Sequence, residues 1–430
     1  MAVFKYSHVD FVFTCLGLVF LLLDIVLDIC AVVSFYREKA YVSLGILLLF
    51  LLGSSVLAQL YSWLWYSYED FHMDTKVESK PSLWQLRLLH VLQLGIYLRH
   101  AGVIEVSVSN PGDVAVYLSH DLSMLRLIEA FSESSPQLVL MLTIILQRWQ
   151  LDPITVLKAI GSASAIAFSL TMYHRSLRSF LPEKENQQVI SSVVYFLWNL
   201  FLLMSRLVAL ALFASVLPCF IFSHFFCSWL VLFFFAWRSK TSFMDTPGAE
   251  WLYRATVGLI WYFSWFNVAE GRTRTRTLLY HTYILLDVSL LCSLWCWTIT
   301  TEPSHCGTSL FYPLITAVSV VSVYVLGLLF KIIYYKRFHP NLSKEQLNRV
   351  TAETTNNGAV VPVDQSPSRD EVDRMLDDPS DASYSAVPQI VVLRGLSHID
   401  VTDRYAPSPP PPTAVRCNKR MRKMAENFYS

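Results

Sequence analysis

The fold is decided by residues 9–36, VDFVFTCLGLVFLLLDIVLDICAVVSFY. A helix of about 20 apolar residues crosses the hydrocarbon core of a bilayer, and this run exceeds that length. Its charged members are Asp10, Asp24 and Asp28. At about 100° per residue, offsets of roughly 14 and 18 residues return to within about 40° of the start, so the three carboxylates form one stripe. Asp24 and Asp28 lie deep in the run, where a charge costs about 2.5–3.5 kcal/mol on insertion scales. The stripe is therefore expected to face protein or a watery groove. The run is too long for a removable signal peptide, carries aspartates and lacks a clear small-residue cleavage site.

Seven more apolar runs follow, near Tyr41–Trp65, Leu122–Leu146, Pro153–Tyr173, Ile190–Leu217, Phe220–Trp237, Leu278–Thr298 and Leu310–Tyr335. Backbone amides in hydrocarbon must be satisfied within the segment, so each run is expected to be a helix. Two shorter runs are poor lone spans. Leu83–Leu98 is interrupted by Arg87, His90 and Gln93, and Ala255–Val268 lies between Arg254 and Glu270. Both fit re-entrant or interfacial helices packed on protein. The expected fold class is all-α: a polytopic membrane protein with about eight transmembrane helices, two re-entrant or interfacial helices and a disordered cytoplasmic tail. Composition agrees, with 54% hydrophobic and 16% charged residues against about 25% charged in soluble domains. Net charge is +1, which makes no case for nucleic acid as a partner.

Basic residues orient the spans. His174, Arg175, Arg178 and Lys184 occupy one connection, Arg272, Arg274 and Arg276 another, and Lys336 and Arg337 follow the last span. Ile299–Ser309 has neither Lys nor Arg. The positive-inside rule places the first three in the cytoplasm and the last outside. Eight spans then put both termini in the cytoplasm. Arg37 and Lys39 fall outside, against the rule, with Glu38 between them. The sequon Asn341-Leu342-Ser343 falls in the cytoplasm and is expected to be unglycosylated.

The eight cysteines, Cys15, Cys30, Cys219, Cys227, Cys292, Cys296, Cys306 and Cys417, mostly sit in apolar runs without metal-ligand spacing. They read as buried small hydrophobes, with a Cys296–Cys306 disulfide open but not implied. HExxH, GxSxG, GxxxxGK[ST] and GxGxxG are missing, so no enzyme, cofactor or metal site is expected. His120-Asp121 alone is too short a match to a metal phosphohydrolase dipeptide to carry weight.

Charges inside the spans are the candidate functional residues. Arg126, Glu129 and Glu133 share a face at i, i+3, i+7, and Arg126–Glu129 suits an intrahelical pair. His120 and Asp121 stand at that helix's entrance. Asn199 and Arg206 share a face of the fifth span, and Asp287 is in the seventh. The simplest arrangement pairs Arg206 with the surplus acids of spans one and three. Pro136 is expected to kink or break its helix. Two readings stay open: ion-pair staples that hold the bundle, or a polar furrow for a phospholipid headgroup or an ion.

Beyond about Asn341 the chain turns polar and Pro-rich. Residues 1–340 read as the membrane domain, 341–417 as a tail disordered over Thr351–Thr413, and 418–430 as a short amphipathic helix. In that helix Met421, Met424, Ala425 and Phe428 recur at i, i+3, i+4, i+7 opposite Lys419, Arg420, Arg422 and Lys423. It suits docking on the membrane domain or on anionic lipid. Asp370-Glu371-Val372-Asp373 reads as an executioner-caspase site, with Asp381 after Asp378-Pro379-Ser380 as the alternative. A disordered arm presents such a string extended and accessible.

Three segments carry a resemblance to the XK-related family. They are Ser123-Met124-Leu125-Arg126-Leu127-Ile128-Glu129 with Glu133-Ser134-Ser135-Pro136-Gln137-Leu138; Glu250-Trp251-Leu252-Tyr253-Arg254; and Tyr262-Phe263-Ser264-Trp265-Phe266-Asn267-Val268-Ala269-Glu270-Gly271-Arg272-Thr273-Arg274. The likeness runs from about residue 9 to 340 and is greatest to the caspase-activated members. The resemblance implies an ATP-independent phospholipid scramblase of the plasma membrane that exposes phosphatidylserine in apoptosis. It also implies two related halves, a tail cut by caspase, and a single-span immunoglobulin-type partner of the basigin or neuroplastin type. It further implies that Asp10, Asp24, Asp28, Glu129, Glu133 and Arg206 line or support the lipid path. Alternatives from the residues alone are a non-catalytic assembly subunit and an ion-coupled transporter.

Overall fold

Helix α1, His8–Arg37, begins where Ser7 and Asp10 cap its first turn reciprocally: the Val9 amide donates to Ser7 Oγ at 3.2 Å and the Ser7 amide to Asp10 Oδ2 at 3.3 Å. The structure is a computed structural model that describes residues 6–68, 71, 73–109, 112–148, 153–180, 187–239, 241, 243–266, 273–301 and 311–339. The helices that follow are α2 (Tyr41–Tyr68), α3 (Lys76–Ser79), α4 (Leu83–Val91), α5 (Gly95–Ser109), α6 (Asp113–Glu129), α7 (Ser135–Arg148), α8 (Pro153–Phe180), α9 (Val189–Val216), α10 (Phe220–Arg238), α11 (Pro247–Phe263), α12 (Thr273–Thr301) and α13 (Phe311–Ile333). The described residues contain no strand. The caspase strings at Asp370–Asp373 and Asp381, the terminal helix with Met421, Met424 and Phe428, the tail's disorder, the sequon, Cys306 and Cys417 all lie outside the described residues.

Helices α1, α2, α9, α10, α12 and α13 are long and apolar enough to cross a membrane. The third and fourth expected spans are present as the α6–α7 rod and as α8. These are more polar and sit inside the bundle, where protein rather than lipid meets their hydroxyls and charges. The chain is an all-α, multi-pass membrane protein. Helix α9 is the hub: 67% of its most apolar window is buried, against 17–22% for α1, α2, α10 and α13, and α7, α8, α10, α11, α12 and α13 all pack on it.

In the peripheral helices the usual burial rule is inverted. Val12, Val19, Val26 and Ile29 of α1 are exposed, whereas Asp10, Thr14, Asp24 and Asp28 are buried. In lipid the apolar face needs no protein cover and the polar face does. The same inversion decides the cysteines. Cys292 is buried, but Cys30, Cys219 and Cys227 are exposed, so the expectation of burial fails for those three. An apolar thiol is tolerated facing lipid as well as facing protein.

The segment Leu83–Leu98 is two helices, not one. Gln93 adopts φ 64°, and the Leu94 amide donates to the Leu89 carbonyl at 2.7 Å, the bond that closes a helix through a left-handed residue. Helix α11 covers most of the second short run but starts earlier, at Pro247, capped by Thr246. Val268, where that run was expected to end, is not described. Its Gly258 lies on α10: a Cβ there would stand 3.1 Å from the Phe233 backbone nitrogen.

Contacts between helix ends set the parity of the spans. Leu146, Leu212, Ile299 and Tyr312 line one recess, and Arg148 pairs with Glu38 at 2.5 Å. The ends of α1, α7, α9 and α12 and the start of α13 therefore share one side. At the other side Ser191, opening α9, donates to the Phe338 carbonyl at 2.8 Å. Glu38 thus pairs with Arg148 at the end that also carries Arg37 and Lys39.

At Gly327 of α13 helix α9 comes close, since a Cβ would meet Leu202 Cδ2 at 2.8 Å and its backbone nitrogen at 3.0 Å. Backbone cannot rotate away. Gly327→Val is expected to cost about 1–3 kcal/mol by overpacking, read as a lower melting temperature of the purified chain than for Gly53→Val, whose Cβ meets open space.

Candidate functional site

The carboxylates of α1 stand at three levels against α7 and α8. A rise of about 1.5 Å per residue spreads Asp10 to Asp28 over about 27 Å, close to the thickness of a hydrocarbon core. At the first level Arg175 of α8 donates from Nη2 to Asp10 Oδ1 at 2.7 Å, and from Nη1 to the Gln187 carbonyl and Ser192 Oγ, each at 2.7 Å. Its guanidinium lies 4.5 Å from the Phe13 ring centroid. At the second level Ser134 Oγ donates to Asp24 Oδ2 at 3.0 Å. At the third, Gln137 Nε2 donates to Asp28 Oδ1 at 2.6 Å. Asp24 and Asp28 thus have neutral hydrogen-bond donors and open on a recess shared with Ser162 and Met141.

A π-helical turn at Ala130–Ser134 positions those donors. The Ser135 amide and hydroxyl both turn to the Ala130 carbonyl. One residue more per turn rotates everything downstream by about 100°, which aims Ser134 and Gln137 at α1. Pro136, lacking an amide, interrupts the ladder just after it. The expected kink is therefore a re-aiming of the helix, and α7 continues from Ser135. Arg126 Nη1 reaches Glu129 Oε2 at 2.5 Å, as expected for an i, i+3 pair. Glu133 is buried in the π turn.

Arg206 corrects an expectation. It pairs with Asp287 of α12, not with the acids of spans one and three. Its Nε donates to the Tyr262 carbonyl at 3.1 Å. His224 of α10 completes the cluster, 3.0 Å from the Tyr262 hydroxyl through Nδ1 and 3.1 Å from Asp287 Oδ1 through Nε2. The physical reason is position: Arg206 lies on the α11–α12 side of α9, whereas the acids of α1 are served by Arg175, Ser134 and Gln137, and Glu129 of α6 by Arg126. Asn199 donates to the Tyr195 carbonyl of its own helix at 2.8 Å. His120 and Asp121 are buried beside Arg99, whose Nη1 is 3.9 Å from Asp121 Oδ2. No group of three metal-ligating side chains occurs among the described residues.

Arg175 and Arg178, expected in a connection, belong to α8. Both are buried in α8, because that helix runs on to Phe180. Arg175 stands two positions past Tyr173, where the expected fourth span ends, and the one sequence signal of its role is a surplus of carboxylates on α1 that Arg206 alone does not balance. Lys331 of α13 was not singled out either. It is buried, 2.7 Å from His281 Nε2 and over the Trp198 ring at 5.3 Å.

A family model described as XK-related protein matches residues 12–340. The chain belongs to the XK-related family. Among its relatives are proteins named XK-related protein 8 from Tetraodon nigroviridis, 44% identical over 79% of this chain and 86% of that one, and from Gasterosteus aculeatus, 41% identical over the same shares. The protein of that name from Pan troglodytes is 38% identical over 77% of this chain and 84% of its own.

In the Arg206–Asp287 pair Arg206 is fully buried and Asp287 half-buried, so removing one partner strands the other. Arg206→Ala is expected to cost about 3–5 kcal/mol and to lower the yield and melting temperature of the folded chain. Adding Asp287→Asn to Arg206→Gln should recover part of that loss. Strict additivity of the two changes in a double-mutant cycle would refute the pairing.

Proposed function

We propose that this chain is an ATP-independent phospholipid scramblase that exposes phosphatidylserine at the plasma membrane when executioner caspase cuts its tail. The observation that carries the reading is the buried stripe Asp10, Asp24 and Asp28. Two of its carboxylates take their direct hydrogen bonds from neutral donors, Ser134 and Gln137, inside a membrane domain and beside a recess, with Arg126 within electrostatic reach of Asp24. Ion-pair staples are built from opposite charges, as at Arg206 and Asp287; Asp24 and Asp28 are not so arranged. Unbalanced polarity at successive depths lowers the cost of moving a charged headgroup while acyl chains stay in lipid. Arg126, Glu129 and Glu133 extend this track from α6 into the π turn, and Arg206 supports it from the α9 hub. Nothing in this scheme requires a metal, cofactor or nucleotide.

Both termini lie in the cytoplasm on this reading, which follows from the parity of the helix ends and the basic connections. Cleavage after Asp373, or after Asp381, removes the Pro-rich spacer and the terminal helix. Met421, Met424 and Phe428 form the apolar edge of that helix, which acts as the latch. A single-span partner with immunoglobulin-type domains, of the basigin or neuroplastin type, accompanies the chain to the surface.

Dithionite quenching of fluorescent lipid in proteoliposomes tests the activity. Quenching should pass half the signal only after caspase treatment, and Asp373→Ala with Asp381→Ala should abolish that response. Asp24→Ala and Asp28→Ala should slow lipid exchange about tenfold, roughly 1.4 kcal/mol each, without loss of folded protein. Half-signal quenching in every sample, with the single-span partner present, would favour an assembly subunit.

A further inference from the structure

Arg175 closes one end of the α1 stripe, and its own position has to be held. It is 4% exposed, and its guanidinium makes three hydrogen bonds, to Asp10, to the Gln187 carbonyl and to Ser192 Oγ. Its Nε finds no acceptor among the described residues. Two of the three bonds therefore come from the segment that opens α9. Gln187 stands one residue before the N-cap of that helix, outside the helical ladder. Its side chain fixes it instead. His174 Nδ1 lies 3.1 Å from Gln187 Oε1, and Gln187 Nε2 donates to Ser191 Oγ at 3.4 Å and to the Tyr334 hydroxyl at 3.3 Å.

Tyr334 begins the last turn before the tail. Tyr334–Phe338 is a π turn that continues α13, a distortion that recurs at functional positions in helices. Tyr334 is fully buried, whereas Tyr335, Lys336 and Arg337 are exposed. Its ring packs edge-on against Tyr195 and Trp198 of α9, with centroids 5.5 and 5.1 Å apart. At the other end of the turn the Phe338 carbonyl accepts from Ser191 Oγ. The root of the tail is thus fastened to α9 at both ends. From it a bonded route runs through Tyr334, Gln187 and Arg175 to Asp10, joining α13, α8 and α1. Hydrogen-bond chains of this kind carry coupling where the elements they join have two arrangements. In the intact chain Asp10 is neutralised and the guanidinium lies against Phe13. Asp373 and Asp381 both come later in the chain. A cut at either leaves this turn in place and changes only what hangs from it.

We infer that the Tyr334–Phe338 turn is the lever of the membrane domain: through Gln187 it holds Arg175 on Asp10, and moving the turn frees the Asp10 end of the track. Gln187 and Tyr334 are positioning residues, acting through Arg175. The inference rests on the scramblase reading for what enters the track and on caspase cleavage for what moves the turn.

Two variants test it. Tyr334→Phe keeps the ring and removes the hydroxyl, and Gln187→Ala keeps the carbonyl and removes the side chain. The first measurement is dithionite-monitored lipid exchange in proteoliposomes of the full chain, before and after caspase. In either variant exchange before caspase should rise about tenfold, so that the cleaved-to-uncleaved ratio falls towards one. A purely structural role would slow exchange equally before and after the cut and leave the ratio unchanged, which overturns the lever. The second measurement is amide hydrogen exchange of the full chain in nanodiscs, followed at residues 7–11, where Asp10 caps its own helix, and at 187–192. Cleavage of the unaltered chain should speed exchange in both segments, and each variant should do so without cleavage. Faster amide exchange in both segments with no lipid exchange in any sample sinks the scramblase reading and keeps the lever. Caspase-dependent lipid exchange with unaltered ratios in both variants, and no amide response at 7–11, sinks the lever and keeps the scramblase. A response confined to 187–192 overturns the reach to Asp10.

Discussion

Everything in this bundle answers to three carboxylates on a helix that must sit in lipid. Hydrocarbon offers an aspartate nothing, so the α1 stripe has to be met by protein at each depth. Arg175, Ser134 and Gln137 meet it. To supply them, α6, α7 and α8 must be polar helices, and polar helices cannot face lipid. They pack on one another, α7 and α8 pack on the α9 hub, α1 and α2 cover them on one side, and α10, α12 and α13 pack on α9. The layering of the fold follows from where the charges need partners.

The three levels are not equivalent. Asp10 meets an arginine and also caps its own helix, which suits an anchoring role at the entrance. Asp24 and Asp28 take hydrogen bonds from a hydroxyl and an amide, with Arg126 within electrostatic reach of Asp24. On the far side of α9, Arg206, Asp287, His224 and Tyr262 form a closed cluster joining four helices. Direct ion pairs thus stand on both sides, at Arg206–Asp287, Arg175–Asp10 and Arg126–Glu129, while Asp24 and Asp28 take their hydrogen bonds from neutral donors. That contrast sets Asp24 and Asp28 apart from the paired charges.

Much was legible beforehand. The eight long runs, the common face of Asp10, Asp24 and Asp28, and the Arg126–Glu129 pair all follow from helical periodicity, which is a local property. What was not legible is cross-helix pairing. Arg206 had acids available at equal charge in spans one, three and seven, and sequence spacing carries no information on which one it faces. Arg175 looked like a loop charge because the hydrophobic stretch of α8 ends before the helix does. The break at Gln93 was hidden for a related reason: a left-handed residue at a helix end needs no glycine when the turn's hydrogen bonds hold it.

The sequence by itself determined the class of protein, the order of its spans and the faces that carry charge, because bilayer thickness and the helical repeat are imposed on any chain. Tertiary structure alone decided who meets whom. The π turn before Pro136 rotates Ser134 and Gln137 onto α1, and α9 turns Arg206 towards Asp287. Such choices depend on the depth and rotation of one helix against another. These are set by the packing of the whole bundle, and no local stretch of residues encodes them.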